Sequence, residues 1–407
     1  MLKSLSVPPG ETLFSENQQA RFAADLSTLR KKAYGSLSMD DYRHLRKIER
    51  WGRLCTALGY ATAWMMPNPI SAFLISLGNF NRWTNVTHPV SHGGYDGIQG
   101  IPPQYASNRF AQGWRRAIDW LDWIVPAGWY EEHNRAHHLT LGEERDPDQV
   151  EHNLTWLRNS KLPLWLRYVV VALFACVWKP IYYAQSTLIE MRIQEAKRRG
   201  ESAKVSSAFS IQAWSPLYKE GRQYWLHSIL PYVTARFVII PALFLPLGMS
   251  AAINVLLTSL LAEVLTNLHT FLVIVPNHTG DDIYRFSEPM KNQQEFYYRQ
   301  VVGSVNYKTG SDLNDFLHGW LNYQIEHHLW PSLPLSQYQK LQPEVKALCE
   351  KHGIVYRQES VFKRLIKAVD VMVGKTSMRW DNAGGNIKPE VQRQPLPELA
   401  STALMDS

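Results

Sequence analysis

Residues 225–275 read WLHSILPYVTARFVIIPALFLPLGMSAAINVLLTSLLAEVLTNLHTFLVIV. Two apolar runs, 225–245 and 249–275, flank Pro246-Leu247-Gly248. Each is long enough to cross a hydrocarbon core of roughly 30 Å at about 1.5 Å per helical residue. Proline and glycine supply the tight turn between them. A membrane-spanning hairpin is the expected consequence, and the rest of the chain is placed outward from it.

Immediately upstream, residues 184–224 carry seven Lys/Arg against four Glu, which by the positive-inside rule belong in the cytoplasm. The next apolar run back, 168–178, is closed by Arg167 and Lys179. It covers only about half the bilayer core and reads as part of an interfacial helix over about 164–183. Further back, apolar sequence at 54–66 and 70–86 is split by Pro67-Asn68-Pro69. Proline disrupts a helix interior and the residue before it, so this break reads as the tip of a second hairpin. A basic helix over 39–53 leads into it, with Asp40 and Asp41 at the dipole-favoured N-terminus. If 168–178 crossed fully, the basic loop would become extracytoplasmic, so the four-span arrangement is preferred.

The fold class that follows is an all-α integral membrane protein: four transmembrane helices in two hairpins, an interfacial helix and a cytoplasmic cap rich in histidine. Residues 1–38 show no sustained periodicity and read as an N-terminal cytoplasmic segment. The start lacks a secretion signal, and residues 373–407 read as a disordered tail. The expected location is a bacterial inner membrane, with the active site facing the cytoplasm.

The averages conceal this segregation. Over 407 residues the formal charge is +7 and hydrophobic residues make up 45%, while mean hydropathy is −0.26. Three cysteines without a CxxC exclude a disulfide framework and Cys-ligated zinc. The basic surplus lies between apolar blocks and not along one stripe, so no nucleic-acid partner is expected.

Of the 14 histidines, seven fall in three clusters: His88-Pro-Val-Ser-His92, His133-Asn-Arg-Ala-His137-His138 and Gln324-Ile-Glu-His327-His328. By composition alone HxxxH is expected roughly 0.5 times per chain, HxxxHH roughly 0.02 times and [HQ]xxHH roughly 0.04 times, so only the joint pattern is informative. On an α-helix His133 and His137 lie one above the other and suit one metal ion, while His138 points about 100° away, toward a second. Pro89 disfavours helical geometry at His88, which then reads as a cap residue. Imidazole suits iron, zinc or copper. None of the histidines has Glu three residues before it, which excludes the Glu-x-x-His di-iron bundle. The many His and few carboxylates favour a dinuclear site over one tetrahedral zinc.

The order HxxxH, HxxxHH, [HQ]xxHH, with one hydrophobic hairpin before the first cluster and another between the second and third, resembles the membrane fatty acid desaturase family. The stretch from Leu321 to Pro331 (LNYQIEHHLWP) and the following LPLSQYQKLQPEVKALCEKHGIVY carry the same likeness. The resemblance spans roughly residues 50–370 and implies a desaturase domain over 39–372. It also implies two iron ions at the cytoplasmic face, dioxygen as co-substrate, and an acyl-lipid, acyl-CoA or acyl-carrier-protein substrate among the membrane lipids. An external electron donor, ferredoxin or cytochrome b5 with its reductase, is implied too, because no fused cytochrome b5 motif is visible. The ligands map onto His88, His92, His133, His137, His138, His327 and His328, with His278 at the place of a further ligand after the fourth span. Gln324, His269, His318, Asn277 and Asn322 are candidate weak ligands or supporting groups. Pro89 departs from the Asp common at that place, and Gln324 stands where many members have His. Hydroxylase, acetylenase, or carotenoid or sphingolipid oxygenase chemistry on the same scaffold is the alternative, and a His-rich metal transport or storage protein a remote one. Carboxylates near the clusters, Asp146 and Glu326 among them, are candidates to orient ligands. The aromatic run Trp114, Trp120, Trp123, Trp129, Tyr130 reads as an interfacial belt.

Overall fold

The computed structural model describes residues 16–202 and 207–381. Among these the chain is mostly helical. The main helices are α1 (Glu16–Gly35), α2 (Met39–Ala63), α3 (Pro69–Asn81), α4 (Leu164–Ala175), α5 (Ala184–Arg198), α6 (Met249–Ile274), α7 (Gln293–Val302), α8 (Gln324–Leu329), α9 (Leu335–His352) and α10 (Val361–Met372). Sheet is confined to β1 (Tyr284–Phe286) and β2 (Arg379–Asp381), a parallel pair with Tyr284 opposite Arg379.

The first hairpin forms where the prolines place it. Ser38 caps α2 in a capping box with Asp41, and the basic helix and first apolar run continue as one element. Asn68 caps α3, its side chain accepting the Ser71 N–H at 2.7 Å with Pro69 in the first turn. The two helices then pack closely at Gly59, where an added Cβ would sit 2.6 Å from Ile75 Cγ1. A small residue is what lets two helices approach in this way. On its other side α3 packs against α6.

Among the described residues, two helical runs are long and apolar enough to cross a membrane, Ile211–Leu247 and Met249–Asn277. The first is broken internally, with π-turns at Trp225–Ile229 and Thr234–Ile239 just ahead of Pro231 and Pro241. Each proline lacks the N–H that an α-turn needs, and the widened i→i+5 turn absorbs it. Leu164–Ala175 meets Lys179–Arg198 at an 85° bend. The surfaces of the two long runs and of α2 and α3 expose large apolar side chains, among them Leu54, Ile70, Leu243 and Leu257.

Two sequence expectations need correction. Residues 1–38 are not without periodicity: Phe22, Leu26, Leu29 and Ala33 form one buried stripe of α1, which packs on α7 and α9. The expected tail begins too early at 373. Val373 and Met378 are buried and β2 adds to β1, with the Arg379 N–H donating to Ile283 O at 2.8 Å. Residues 382–407, the rest of that expectation, and residues 1–15 lie outside the described residues.

Candidate metal centre

The first cluster hangs from a π-turn, Arg82–Thr87, at the end of α3. His88 is helical, with φ −55° and ψ −61°, and its N–H donates to Trp83 O five residues back. The wide turn makes room for the Pro89 ring, which would otherwise meet the carbonyl four residues back. His88 is therefore not the extended cap residue that Pro89 suggested. The His92 N–H donates to His88 O at 3.3 Å, and the two rings lie 5.1 Å apart.

The second cluster is also π-helical, over Tyr130–His137, and the His138 N–H reaches the His133 carbonyl. Residues five apart then meet as well as residues four apart: the His133 ring lies 5.4 Å from His137 and 5.0 Å from His138. This regroups the imidazoles. Donor atoms of His88, His92, His133, His138 and His327 gather within 4.8 Å of one another, and those of His137, His278 and His328 form a second group on the same criterion. A third set, His133, His137 and Asp148, links the two. The third set keeps the His133–His137 pairing that helical spacing predicts, and the π-turn adds a pairing of His133 with His138, which that spacing sets apart.

The third cluster sits on α8. A left-handed turn at Gly319 (φ 68°) and Trp320 (φ 56°) delivers the chain into it. Trp320 is a bulky residue in a region that favours glycine, and its N–H bonds to Asp315 O at 2.9 Å. Buried Asp315 also accepts from Asn322 Nδ2 at 2.6 Å, Tyr323 OH at 2.8 Å and Gln339 Nε2 at 2.7 Å. Asn322 is thus part of the turn and not of the metal groups.

Four of the outer nitrogens find a partner, which leaves the other nitrogen of each ring aimed inward, whereas Nδ1 of His133 and of His138 is buried without one. His137 Nδ1 donates to Asp146 Oδ1 at 2.9 Å, His328 Nδ1 to Gln300 Oε1 at 2.8 Å and His278 Nδ1 to Gly303 O at 3.0 Å. His327 Nδ1 stands 3.3 Å from Tyr338 OH. Inside, His133 Nε2 faces His88 Nε2 at 2.9 Å and His327 Nε2 faces His138 Nε2 at 3.1 Å. His92 Nε2 and His328 Nε2 are buried without a hydrogen-bond partner. Buried lone pairs converging on each other, with orphaned nitrogens beside them, fit two bound cations.

Burial keeps these imidazoles neutral. It pushes His88 and His278 down to about 3, helped by the charge of His137, and it holds His92, His133, His138, His327 and His328 well below the ordinary range. His137 departs from this pattern: burial works against its charge, but Asp146 and Asp148 raise it overall. Glu326, fully buried beneath the third cluster, is pushed up to about 7 by burial against hydrogen bonds from Asn306 and Tyr356 at 2.7 Å each.

The remaining candidates divide. Gln324 Nε2 lies 2.8 Å from His278 Nε2, inside the second group's surroundings. Asn277 Nδ2 donates to Leu321 O at 3.3 Å. His269 stacks on Phe80 at 3.9 Å with Nε2 at 2.7 Å from Leu317 O, and His318 Nδ1 bonds to Asn314 O at 2.8 Å. Neither joins a metal group. Asp148 and Gln300 were not singled out from the sequence. The Asp146-Pro-Asp148 repeat after the second cluster was a usable signal, whereas Gln300 is an ordinary helical glutamine until folding brings it under His328.

A cavity of about 640 Å³ opens onto this centre, within the roughly 300–1,000 Å³ typical of ligand sites. His88, His133, His137, His278 and Gln324 form one part of its wall. The rest is largely apolar, from α4 (Val170, Val171, Phe174), the end of α6 and Trp83, Trp129 and Trp178. The aromatic run thus departs from the interfacial reading: Trp120, Trp123 and Trp129 are buried, with Trp129 stacked on His133 at 4.3 Å, and Trp114 and Tyr130 alone are exposed.

Comparison with known proteins adds the following. The family model described as fatty acid desaturase matches residues 62–360. An NADPH-dependent stearoyl-CoA 9-desaturase of Mycobacterium tuberculosis is 24% identical over 357 residues, covering 82% of this chain and 74% of its own length. A delta(5) fatty acid desaturase A of Dictyostelium discoideum is 24% identical over 250 residues, 58% of this chain and 50% of that protein. An acyl-lipid (9-3)-desaturase of Physcomitrium patens is 36% identical over 99 residues, 24% of this chain and 18% of its length. No solved structure matches significantly.

Proposed function

Since the chain belongs to the fatty acid desaturase family, we propose that it introduces a double bond into a fatty acyl chain, using dioxygen at a pair of iron ions held by His88, His92, His133, His137, His138, His278, His327 and His328. It is an oxidoreductase of lipid metabolism. The observation that carries the finer reading is the junction of two features. Eight imidazoles in two buried groups share a wall with an apolar cavity whose lining suits a hydrocarbon chain.

The chemistry asks for this combination. A methylene has no acidic proton, so no side chain can begin the reaction, and bound iron would supply the activation of dioxygen that an unactivated C–H bond requires. The chain's own residues do the rest. His137, His278 and His328 are held in one tautomer by Asp146, Gly303 O and Gln300. Val170, Val171 and Phe174 exclude water from the acyl path, and the stacked Trp129 fixes the His133 ring.

Four spans in two hairpins are the topology we favour. Support comes from the long runs Ile211–Leu247 and Met249–Asn277 and from apolar exposure on α2 and α3, at Leu54, Leu58, Ile70 and Phe73. The 85° bend after α4 supports an interfacial path over a straight crossing. The basic stretch 184–224 supports a cytoplasmic active site. The acyl group is carried by CoA, a lipid or a carrier protein, and the relatives named for stearoyl-CoA and acyl-lipid desaturation bracket the first two.

The deciding experiment is the fatty acid profile of a desaturase-free host expressing the chain. A product two mass units lighter than its saturated precursor is expected, absent in a His137→Ala variant. A product sixteen units heavier, or an unchanged profile, would overturn the reading.

A further inference from the structure

Electron balance sets a requirement that the cavity does not meet. Taking two hydrogens from adjacent carbons yields two electrons, whereas dioxygen needs four to become two waters. The overall step, R–CH2–CH2–R′ + O2 + 2 e⁻ + 2 H⁺ → R–CH=CH–R′ + 2 H2O, therefore draws two electrons from a reductant outside the chain. That reductant must approach the metal groups from somewhere other than the apolar cavity and the bilayer.

The fold offers one roof. Helix α9 lies between α1 and the first half of α2, and the three helices are tied together by ion pairs and hydrogen bonds. Lys32 Nζ meets Glu344 at 2.8 Å, Lys351 Nζ meets Asp25 at 2.7 Å, and Gln337 Nε2 donates to Asp41 at 2.9 Å. No residue of these helices lines the cavity. Beneath the roof lies the third histidine cluster. Tyr338, on the inner side of α9, has its hydroxyl 3.3 Å from His327 Nδ1 and donates to Trp330 O and Pro331 O at 3.0 and 3.1 Å. In the next residue, Ser332 Oγ lies 2.5 Å from the hydroxyl of half-buried Tyr34 on α1, with the Arg30 guanidinium over that ring. A bonded path thus runs from half-buried Tyr34 on α1 to a metal-facing imidazole.

The roof is basic in composition. Residues 16–35, 39–53 and 335–352 hold twelve Lys/Arg against seven Asp/Glu, most of the chain's net positive charge in a small part of its length. Several acids are already paired beneath the surface, Asp41 among them with Lys340 at 3.6 Å, while the side chains of Lys31, Lys340 and Lys346 stand exposed. Such a concentration of one sign steers an oppositely charged partner at a distance and orients it on arrival.

We propose that the face formed by α1, α9 and the basic half of α2 docks an acidic one-electron carrier protein, which delivers electrons along Tyr34, Ser332 and Tyr338 to His327. The proposal rests on the desaturase reading and names the partner of that site.

The test uses full-length protein in nanodiscs of uncharged phosphatidylcholine, with an acidic plant-type [2Fe–2S] ferredoxin and its reductase as the probe. Wild-type binding should weaken steeply between 50 and 200 mM salt. Relative to wild type at low salt, K31E/K340E/K346E should weaken the Kd and raise the KM for ferredoxin at least tenfold, leaving kcat at saturating ferredoxin within twofold. The neutral triple K31Q/K340Q/K346Q should fall between. A control reversal away from the roof, K161E/R199E/K219E, should stay within twofold in both quantities. Equal weakening by the two reversals, or an unchanged Kd for the roof variant, overturns the docking face. A wild-type chain that binds ferredoxin on the roof yet forms no double bond overturns the desaturase reading instead.

Discussion

His138 follows His133 by one i→i+5 turn, its N–H on the His133 carbonyl, so the two imidazoles enter the same group of five while His137 enters the group of three. The two adjacent histidines should therefore fail differently. His137→Ala leaves the smaller group with two imidazoles and should cost about half of the bound metal. His138→Ala leaves four in the larger group and should retain more. Elemental analysis of the purified variants checks this, and equal losses would count against the grouping.

Asp146 acts on the metal through His137. Its Oδ1 accepts from His137 Nδ1, and Oδ2 accepts from the Gly142 N–H at 2.9 Å. Asp146→Asn preserves the shape but weakens the imidazole's orientation and basicity, so metal affinity should drop ~10–100-fold. Chelator competition measures it. A change below threefold would show that the carboxylate serves the loop alone.

The close approach in the first hairpin has a mechanical consequence. A methyl group at position 59 would meet Ile75 Cγ1 at 2.6 Å and the Ser71 carbonyl at 2.9 Å. Backbone cannot swing aside as a side chain can, so Gly59→Ala should cost about 1–3 kcal/mol. A lowered thermal midpoint in detergent, with no change for a neighbouring exposed substitution such as Leu58→Ala, is the expected result.

Just after His278, the loop is pinned by a fully buried arginine. Arg364 donates to Asp282 at 2.5 Å and to Thr279 O at 2.8 Å. Despite burial, Arg364 and then Lys367 pull the Asp282 carboxyl down to about 2 from its ordinary 3.8. A depressed carboxylate contributes stability that is complete above the ordinary value and is lost as pH falls through the folded one. Asp282→Asn should therefore be less stable than wild type at pH 7, and the difference should close as pH approaches 2. A difference independent of pH would mean that packing, not charge, is what the pair supplies.

The legible and illegible parts of this molecule separate by the range of the interaction that decides them. The hairpin tips at Pro67-Asn68-Pro69 and Pro246-Leu247-Gly248 and the long apolar runs are local chemistry, and they stand where the sequence places them. So do the histidines as a set, because a joint pattern improbable by chance needs no geometry. Their division between groups was only partly legible, since 3.6-residue periodicity sets His138 apart from His133 where a wider turn brings the two together, and a cap is expected at Pro89 where the chain stays helical. The α1 stripe was missed because its apolar residues are diluted by Arg, Lys and Gln, and only α7 and α9 reveal which face is buried. Gln300 and Tyr338 were out of reach, as nothing in a single sequence says that helices 293–302 and 335–352 close over the same imidazoles.

The cavity reading can be tested without touching a histidine. Val171 is buried on α4 and faces the cavity, so Val171→Phe adds bulk to the acyl path some distance from the ligands. If the cavity carries the substrate, double-bond formation on an eighteen-carbon chain should fall at least tenfold, with bound metal and thermal midpoint close to wild type. Overpacking a filled core would instead cost ~1–3 kcal/mol, and here the space is open. Leu243→Phe, on an exposed apolar surface, controls for bulk added against lipid and should leave turnover unchanged. Full activity in Val171→Phe would mean that the acyl chain reaches the imidazoles by another route.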